Sequence, residues 1–243
     1  TDHTEPNNII SKYTGSTSSA AYALLLSSGN GYLYAHPTYG SQAMSSTVVP
    51  YNTWNQVLMV FDESASTIKL YMNGSLIHTS NSMPSSPNNT SNVFIGKAAW
   101  GNSEYFVGKI DEVAIWNDAL SANEITALYN SGVALDALSN SGNYTSSGEL
   151  KGYWKMEEGS GSTITDLSGN GNNGTISGAS WATGKKSSSY TNTIRDITAP
   201  TMTITATDGS NAVSDGATTN DSILTVTFTS SEATTDFVVG DIT

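Results

Sequence analysis

The sequence contains no cysteine, which excludes disulfides and thiolate metal sites, and with them the usual staple of small secreted domains. Basic residues are scarce, with 9 Lys and Arg against 21 Asp and Glu and a formal net charge of −12. That balance would repel a phosphate backbone and an anionic membrane surface alike, so nucleic acid is not an expected partner. No apolar run approaches the ~20 residues needed to cross a bilayer, and membrane insertion is not expected either. No signal peptide opens the chain at Thr1, so it reads as a mature or excised piece.

Charge of either sign is thin: 12% of the 243 residues, beside 37% hydrophobic. That apolar content suffices for an ordinary core in one large or two modest domains. Ser, Thr, Asn and Gly supply the polar surface, as expected for many short strands joined by turns. Ala21 to Ser27 and Tyr32 to His36 flank Gly29-Asn30-Gly31, which predicts a hairpin because glycine tolerates positive φ. Thr67 to Met72 puts Ile68, Leu70 and Met72 on one face and Lys69 and Tyr71 on the other, and Asn73-Gly74 then signals a type I′ turn. Trp54 to Phe61 and Val93 to Ala98 read as further strands.

The densest run of signals is Tyr105 to Leu128, YFVGKIDEVAIWNDALSANEITAL. A strand is expected over Phe106 to Trp116, with a bulge near Asp111-Glu112 where the apolar set changes phase. Ser121 to Glu124 reads as a capping box, with Leu120 and Ile125 spaced to staple a helix of about two turns. Asn130-Ser131-Gly132 supplies a left-handed stop. Later, Gly152 to Thr175 contains GYWKMEEGSG and TDLSGNGNNGT.

The G-x-I-D-E-V-x-I-W strand followed by A-L-S-x-x-E-I resembles the closing segment of laminin-G-like jelly rolls in the concanavalin A-like lectin/glucanase superfamily. L-Y-M-N-G ending at Gly74, Trp54 to Val57 and the Gly152 to Thr175 stretch carry the same resemblance. It implies an all-β fold, an antiparallel β-sandwich jelly roll with one short helix. In such domains an opening strand and the first apolar strands precede the I-x-S-K-Y element at Ile9 to Tyr13, so this chain is expected to enter the domain part-way. The Y-W-x-M-x-E-G-S-G element usually opens the domain beside the last strand. Here Gly152 to Glu157 is expected to dock next to Phe106 to Trp116, with 150–182 completing the jelly roll over 1–185. A linker over 186–199 follows, and alternation in Met202 to Ala206 and Ile223 to Phe228 resembles the start of a bacterial immunoglobulin-like repeat over 200–243, a partial β module.

Glycoside hydrolases in the superfamily need two carboxyls converging on one sugar, roughly 5–10 Å apart. The pairs Asp111-Glu112 and Glu157-Glu158 are sequence neighbours that point apart on a strand, and the spaced E-x-D-x-E set is missing; no enzyme is expected. His3, His36 and His78 have no metal-binding spacing. For calcium, which relatives often carry, the expected ligands are Asp166, Asn170 and Asn172, with Asp111 contributing. The alternative is that this loop forms Asx turns and caps itself, and both remain open at this level. For a sugar, the candidate residues are Trp100, Asn102 and Tyr105 on one loop, and Tyr34 and Tyr39 near a hairpin end, with partial burial against a neighbouring loop as the bland alternative. Trp54, Trp116 and Trp154 are assigned to the core. The resemblance implies an extracellular or cell-surface binding module whose partner is a glycan or a surface protein, with self-association in a larger assembly as a further expectation. The rivals are a structural link in a long adhesin and an accessory domain of a polysaccharide-degrading enzyme.

Overall fold

The computed structural model describes residues 7–13, 22–38, 41–81, 83, 90–99, 104–184, 202–209, 211–214, 217–218 and 223–230. The chain divides into two units, Thr1–Ser189 and Tyr190–Thr243. In the first, β1 (Asn7–Lys12), β2 (Tyr22–Leu26), β3 (Tyr32–Thr38) and β4 (Ser41–Val48) are followed by β5 (Val57–Asp62), β6 (Thr67–Met72), β7 (Ser75–Ser80) and β8 (Val93–Ile95). Then come β9 (Val113–Trp116), helix α1 (Ala122–Tyr129), β10 (Leu150–Trp154), β11 (Thr163–Ile164) and β12 (Gly174–Thr175). The second unit holds β13 (Met202–Asp208), β14 (Asn211–Val213) and β15 (Thr225–Ser230) in a three-stranded antiparallel sheet with β13 central. Val226 of that sheet is 48% exposed, so one face of it gains little from burial.

Turn chemistry sets the hairpins. Between β2 and β3, Gly29 and Gly31 take φ of 80° and 66°, and Ser27 N–H donates to Tyr32 O at 2.9 Å. Between β6 and β7, Asn73 and Gly74 take φ of 51° and 76°, the two positive values that a type I′ turn requires. A side chain at Gly74 would also press on Tyr129 of α1 at 3.1 Å, so the turn and the helix depend on the same glycine.

The first unit is layered. One sheet runs β4-β3-β2-β1-β8. Across it Ile95, Ile10, Leu24, Ala35 and Ala43 are successive cross-strand partners, and this row faces the main core with Ile68 and Leu70 of β6. The opposite layer is formed by the β5-β6-β7 sheet and the β9-β10 pair. Period-two alternation makes this layer apolar on both faces. Val57, Met59, Phe61, Val113 and Ile115 pack on the main core, while Leu58, Val60, Tyr71, Ala114, Trp116 and Tyr153 belong to a second core with Leu120, Ile125 and Leu128. The antiparallel sandwich with one short helix expected from the sequence is the architecture observed.

Three local expectations need correction. The strand expected over Phe106 to Trp116 shortens to β9, because Glu112 sits in the left-handed region at φ 52°, where a regular ladder cannot continue. For the same reason Asp111 and Glu112 do not alternate along a strand. Trp54 precedes β5 and is 37% exposed, so it is not a core tryptophan, unlike Trp154 at 6%.

The second core is closed by a buried carboxylate. Glu124, 8% exposed, accepts from Ser121 N–H (3.0 Å) and Ser121 Oγ (2.9 Å) through Oε2. Through Oε1 it accepts from Ser146 Oγ (2.6 Å), Thr145 Oγ1 (3.1 Å) and Thr145 N–H (3.3 Å). It therefore completes the capping box of α1 and pins the segment ahead of β10 to the helix. Burial opposes its ionisation, but the bonds from Ser146, Ser121 and Thr145 outweigh burial and hold the carboxyl at about 2 instead of 4.5. A depressed folded-state value contributes stability above pH 4.5 that is lost as pH falls toward 2, amounting to about 3 kcal/mol. Glu124→Gln should accordingly cost about 2–3 kcal/mol in urea unfolding at pH 7 and much less at pH 2; an equal cost at both pH values would show that the charge contributes nothing.

Candidate functional site

The main-core row of the five-stranded sheet fixes what lies on its other side, because neighbours across a ladder share a face. One outer row is Phe94, Ser11, Ala23 and His36; the next is Asn8, Leu25, Tyr34 and Met44. Ala23 and Leu25 are buried, while Met44 is 49% exposed. Tyr34 and His36 stand two residues apart on β3 with ring centroids 6.1 Å apart. Burial pushes the Tyr34 hydroxyl up and the His36 imidazole below 6.5, so His36 is neutral at pH 7.

At the β8 edge the face is extended by a paired stem. Ala98 N–H donates to Glu104 O at 3.0 Å, Phe106 N–H to Gly96 O at 2.9 Å, and Lys97 bridges to Tyr105. Ser11 Oγ donates to Lys97 O (2.8 Å) and Asn8 Nδ2 to Glu104 Oε2 (3.0 Å), which ties this stem to β1. Lys97 Nζ lies 5.4 Å from the Phe94 ring and 6.0 Å from the Tyr105 ring, within cation–π range. Tyr105 is half exposed. With strands about 4.8 Å apart, Phe94 and His36 are about 14 Å from each other across the face.

Of the sugar-site residues expected from sequence, Tyr34 and Tyr105 therefore belong to one sheet face, at opposite ends. Trp100, Asn102 and Tyr39 lie outside the described residues. Phe94, Lys97 and Met44 were not singled out; the short V-F-I-G-K stretch shows an alternation that, once paired with β1, would have placed Phe94 outward.

The loop after β11 has a different character. Asp166, 7% exposed, accepts from Tyr153 N–H and Ser168 N–H through Oδ1 and from Asn172 N–H through Oδ2, each at 2.9 Å. Asn170 Nδ2 donates to Leu150 O at 2.9 Å and Asn172 Nδ2 to Lys151 O at 2.8 Å. A calcium ion would compete with three backbone N–H groups for the same two carboxylate oxygens. Gly184 packs directly against the Asp111 carboxylate, near Lys109, whose Nζ donates to Thr183 O at 3.1 Å. Among the described residues no group of three His, Asp or Glu side chains forms a metal cluster.

Among the described residues, Glu112 is a half-buried carboxyl that its surroundings push upward. Burial raises it from 4.5 to about 7, although the Tyr153 hydroxyl donates to it and Lys155 is nearby. Tyr153 belongs to the second core, so Glu112 is separated from the outer face by the main core.

The family comparison agrees with this architecture. The family described as the concanavalin A-like lectin/glucanases superfamily matches residues 1–126. The chain belongs to that superfamily. No curated protein matches it. Among solved structures, this superfamily member is similar to a candidate carbohydrate binding protein from Bacteroides ovatus, at 19% identity and a TM-score of 0.49 over 71% of this chain and 51% of that one. The chain thus spans about half the length of that protein. It is also similar to the IT-sialidase CBM40 of Ruminococcus gnavus (19% identity, TM-score 0.45, 53% and 77% covered). An S-layer domain-containing protein from Clostridium thermocellum matches at 24% identity and a TM-score of 0.31, with 53% and 65% covered.

The Asp166 carboxylate is held below its ordinary 3.8: burial pushes it up, but bonds from Ser168, Tyr153 and Asn172 outweigh that. Asp166→Ala should destabilise the chain by about 2–4 kcal/mol without calcium, through three unpaired amides. Thermal unfolding of both proteins with calcium and with chelator checks this. An unchanged melting temperature in the variant would contradict the structural role, and a calcium-dependent rise in the parent alone would reveal an ion at the loop.

Proposed function

We propose that this chain is a non-catalytic carbohydrate-binding module of a larger extracellular or cell-surface protein, and that the glycan lies across the outer face of the five-stranded sheet. The observation that carries the reading is the pair of outer rows, which bring Tyr34 and His36 to one end of a face whose other end holds Phe94, Lys97 and Tyr105. Rings of this kind stack on the apolar faces of pyranoses, and the hydroxyl, imidazole and ammonium groups between them bond to sugar hydroxyls. Membership of a superfamily that includes lectins supports the same reading.

Turnover is not part of the proposal. A glycosidase needs a second carboxyl beside the acid, and Glu112, the carboxyl raised toward neutrality among the described residues, lies across the main core from the outer face. For domain organisation we propose a jelly roll over 1–185 completed by 150–182, a linker over 186–199 and the start of an immunoglobulin-like module over 200–243. The antiparallel pairing of β10 with β9, Leu150 opposite Trp116 and Trp154 opposite Val113, supports the first part.

A glycan array probed with the full chain tests the reading. Binding to a defined oligosaccharide class is expected, and Tyr34→Ala and Tyr105→Ala should each weaken it about tenfold, with the melting temperature nearly unchanged for half-exposed Tyr105 and lowered for part-buried Tyr34. Because His36 is neutral at pH 7, binding should be flat between pH 7 and 8. Binding that survives both substitutions would move the site off this face, and no binding at all would favour a structural link.

A further inference from the structure

On the side of the middle layer that α1 covers, a cleft of ≈ 470 Å³ lies between the β6–β7 turn and α1. Its two walls are fixed to each other. Thr126 Oγ1 of α1 donates to Gly74 O of the turn at 3.0 Å, and Gly74 packs on Tyr129. Asn143 joins the lining from a closed turn, in which Ser141 and Tyr144 exchange backbone hydrogen bonds of 3.0 Å. The walls therefore keep their spacing without a ligand, and the volume falls within the range of about 300–1000 Å³ usual for small-molecule sites.

The lining contains no Asp, Glu, Lys, Arg or His. It thus has neither the cation that an anionic ligand needs nor the carboxylates that hold a hard metal ion. Its apolar surface comes mainly from Ala127 and Tyr129, too little to hold an apolar ligand alone. What remains is amide and hydroxyl. Asn123, Asn143, Ser75 and Ser131 are exposed, and their side chains make no hydrogen bond to other described residues. Asn130 and Ser131 both take left-handed φ, 45° and 56°. A left-handed asparagine suits a helix stop, but a serine following it in the same region is strained, and such strain gathers at ligand clamps.

We propose that this cleft is a second saccharide site, which takes a neutral mono- or disaccharide independently of the glycan on the outer face. The amides of Asn123 and Asn143 each offer donors beside an acceptor, the pairing that neighbouring sugar hydroxyls complete, and Ser75 and Ser131 add hydroxyls of their own. Tyr129 supplies the apolar wall against which a pyranose ring rests. The two sites differ in charge. The outer face carries Lys97, whereas the uncharged cleft, in a chain of net charge −12, selects against acidic sugars.

The test is an amide NMR titration of the full 243-residue chain with cellobiose, maltose, lactose and N,N′-diacetylchitobiose in turn, and with glucuronic acid as the charged control. One or more of the disaccharides should shift the amides of Thr126, Tyr129, Ser131 and Asn143, with a Kd of about 1 mM. Replacing both exposed asparagines, Asn123→Ala with Asn143→Ala, should weaken this binding about tenfold at an unchanged melting temperature. Tyr34→Ala should leave these shifts intact, which separates failure of this site from failure of the outer face. No shift at these amides with any disaccharide at roughly 20 mM overturns the proposal, as does equal affinity in the double variant or for glucuronic acid. Shifts that vanish in Tyr34→Ala also overturn it, by placing the sugar on the outer face.

Discussion

Because β5, β6, β9 and β10 send apolar side chains out of both faces, the layer they form cannot be stable with a cover on one side only. The five-stranded sheet covers one face. The other is covered by α1 and the segment leading to β10, where Trp116 Nε1 donates to Tyr144 OH and Tyr144 OH donates to Ala137 O, both at 2.9 Å. That cover is short and contains an eight-residue helix, too short to hold itself. What fixes it is the Glu124 carboxylate, bonded at once to the cap of α1 and to Thr145 and Ser146. An ionised group is placed where apolar burial alone would leave the helix and its neighbouring segment free to slide.

The same layering separates stability from recognition. The inward row Ile10, Leu24, Ala35 and Ala43 is committed to the core, and the residues between them on each strand are released to the outer face. Tyr34 and His36 stand half-buried at one end of that face, beside a middle where Asn8, Ser11, Ala23 and Leu25 are all buried. Lys97, held between two rings at the β8 edge, gives that end a fixed positive charge in an otherwise acidic chain.

Much of the fold was legible because its signals are local. The glycines of the β2–β3 turn, Asn73-Gly74 and the Ser121–Glu124 capping box each encode a conformation within four residues. The alternation in Thr67 to Met72 correctly separated Ile68 and Leu70 from Tyr71, which pack in different cores. Where the reading failed, the cause was non-local or a single backbone angle. The change of phase at I-D-E-V announces an irregularity at Asp111-Glu112, but not that Glu112 adopts a left-handed φ and cuts the strand short. Trp54 resembled a strand residue because its neighbours alternate, yet pairing with β6 begins only at Val57. At the candidate site, Tyr34 and Tyr105 were read as separate groups 71 positions apart; only the register of β8, β1, β2 and β3 shows that they share a face. The SGNGN loop was open to two readings, and the carboxylate of Asp166 is engaged in the Asx-type capping that was one of them.

The most direct measurement of the central claim is a two-dimensional amide NMR titration of the full chain with an oligosaccharide it binds. The account predicts shifts that follow the outer rows, at Ser11, Ala23, Tyr34, His36, Phe94 and Tyr105, and leave Tyr153 and Ser168 unmoved. Shifts confined to the Asp166 loop, or to the β9–β10 side of the sandwich, would contradict it.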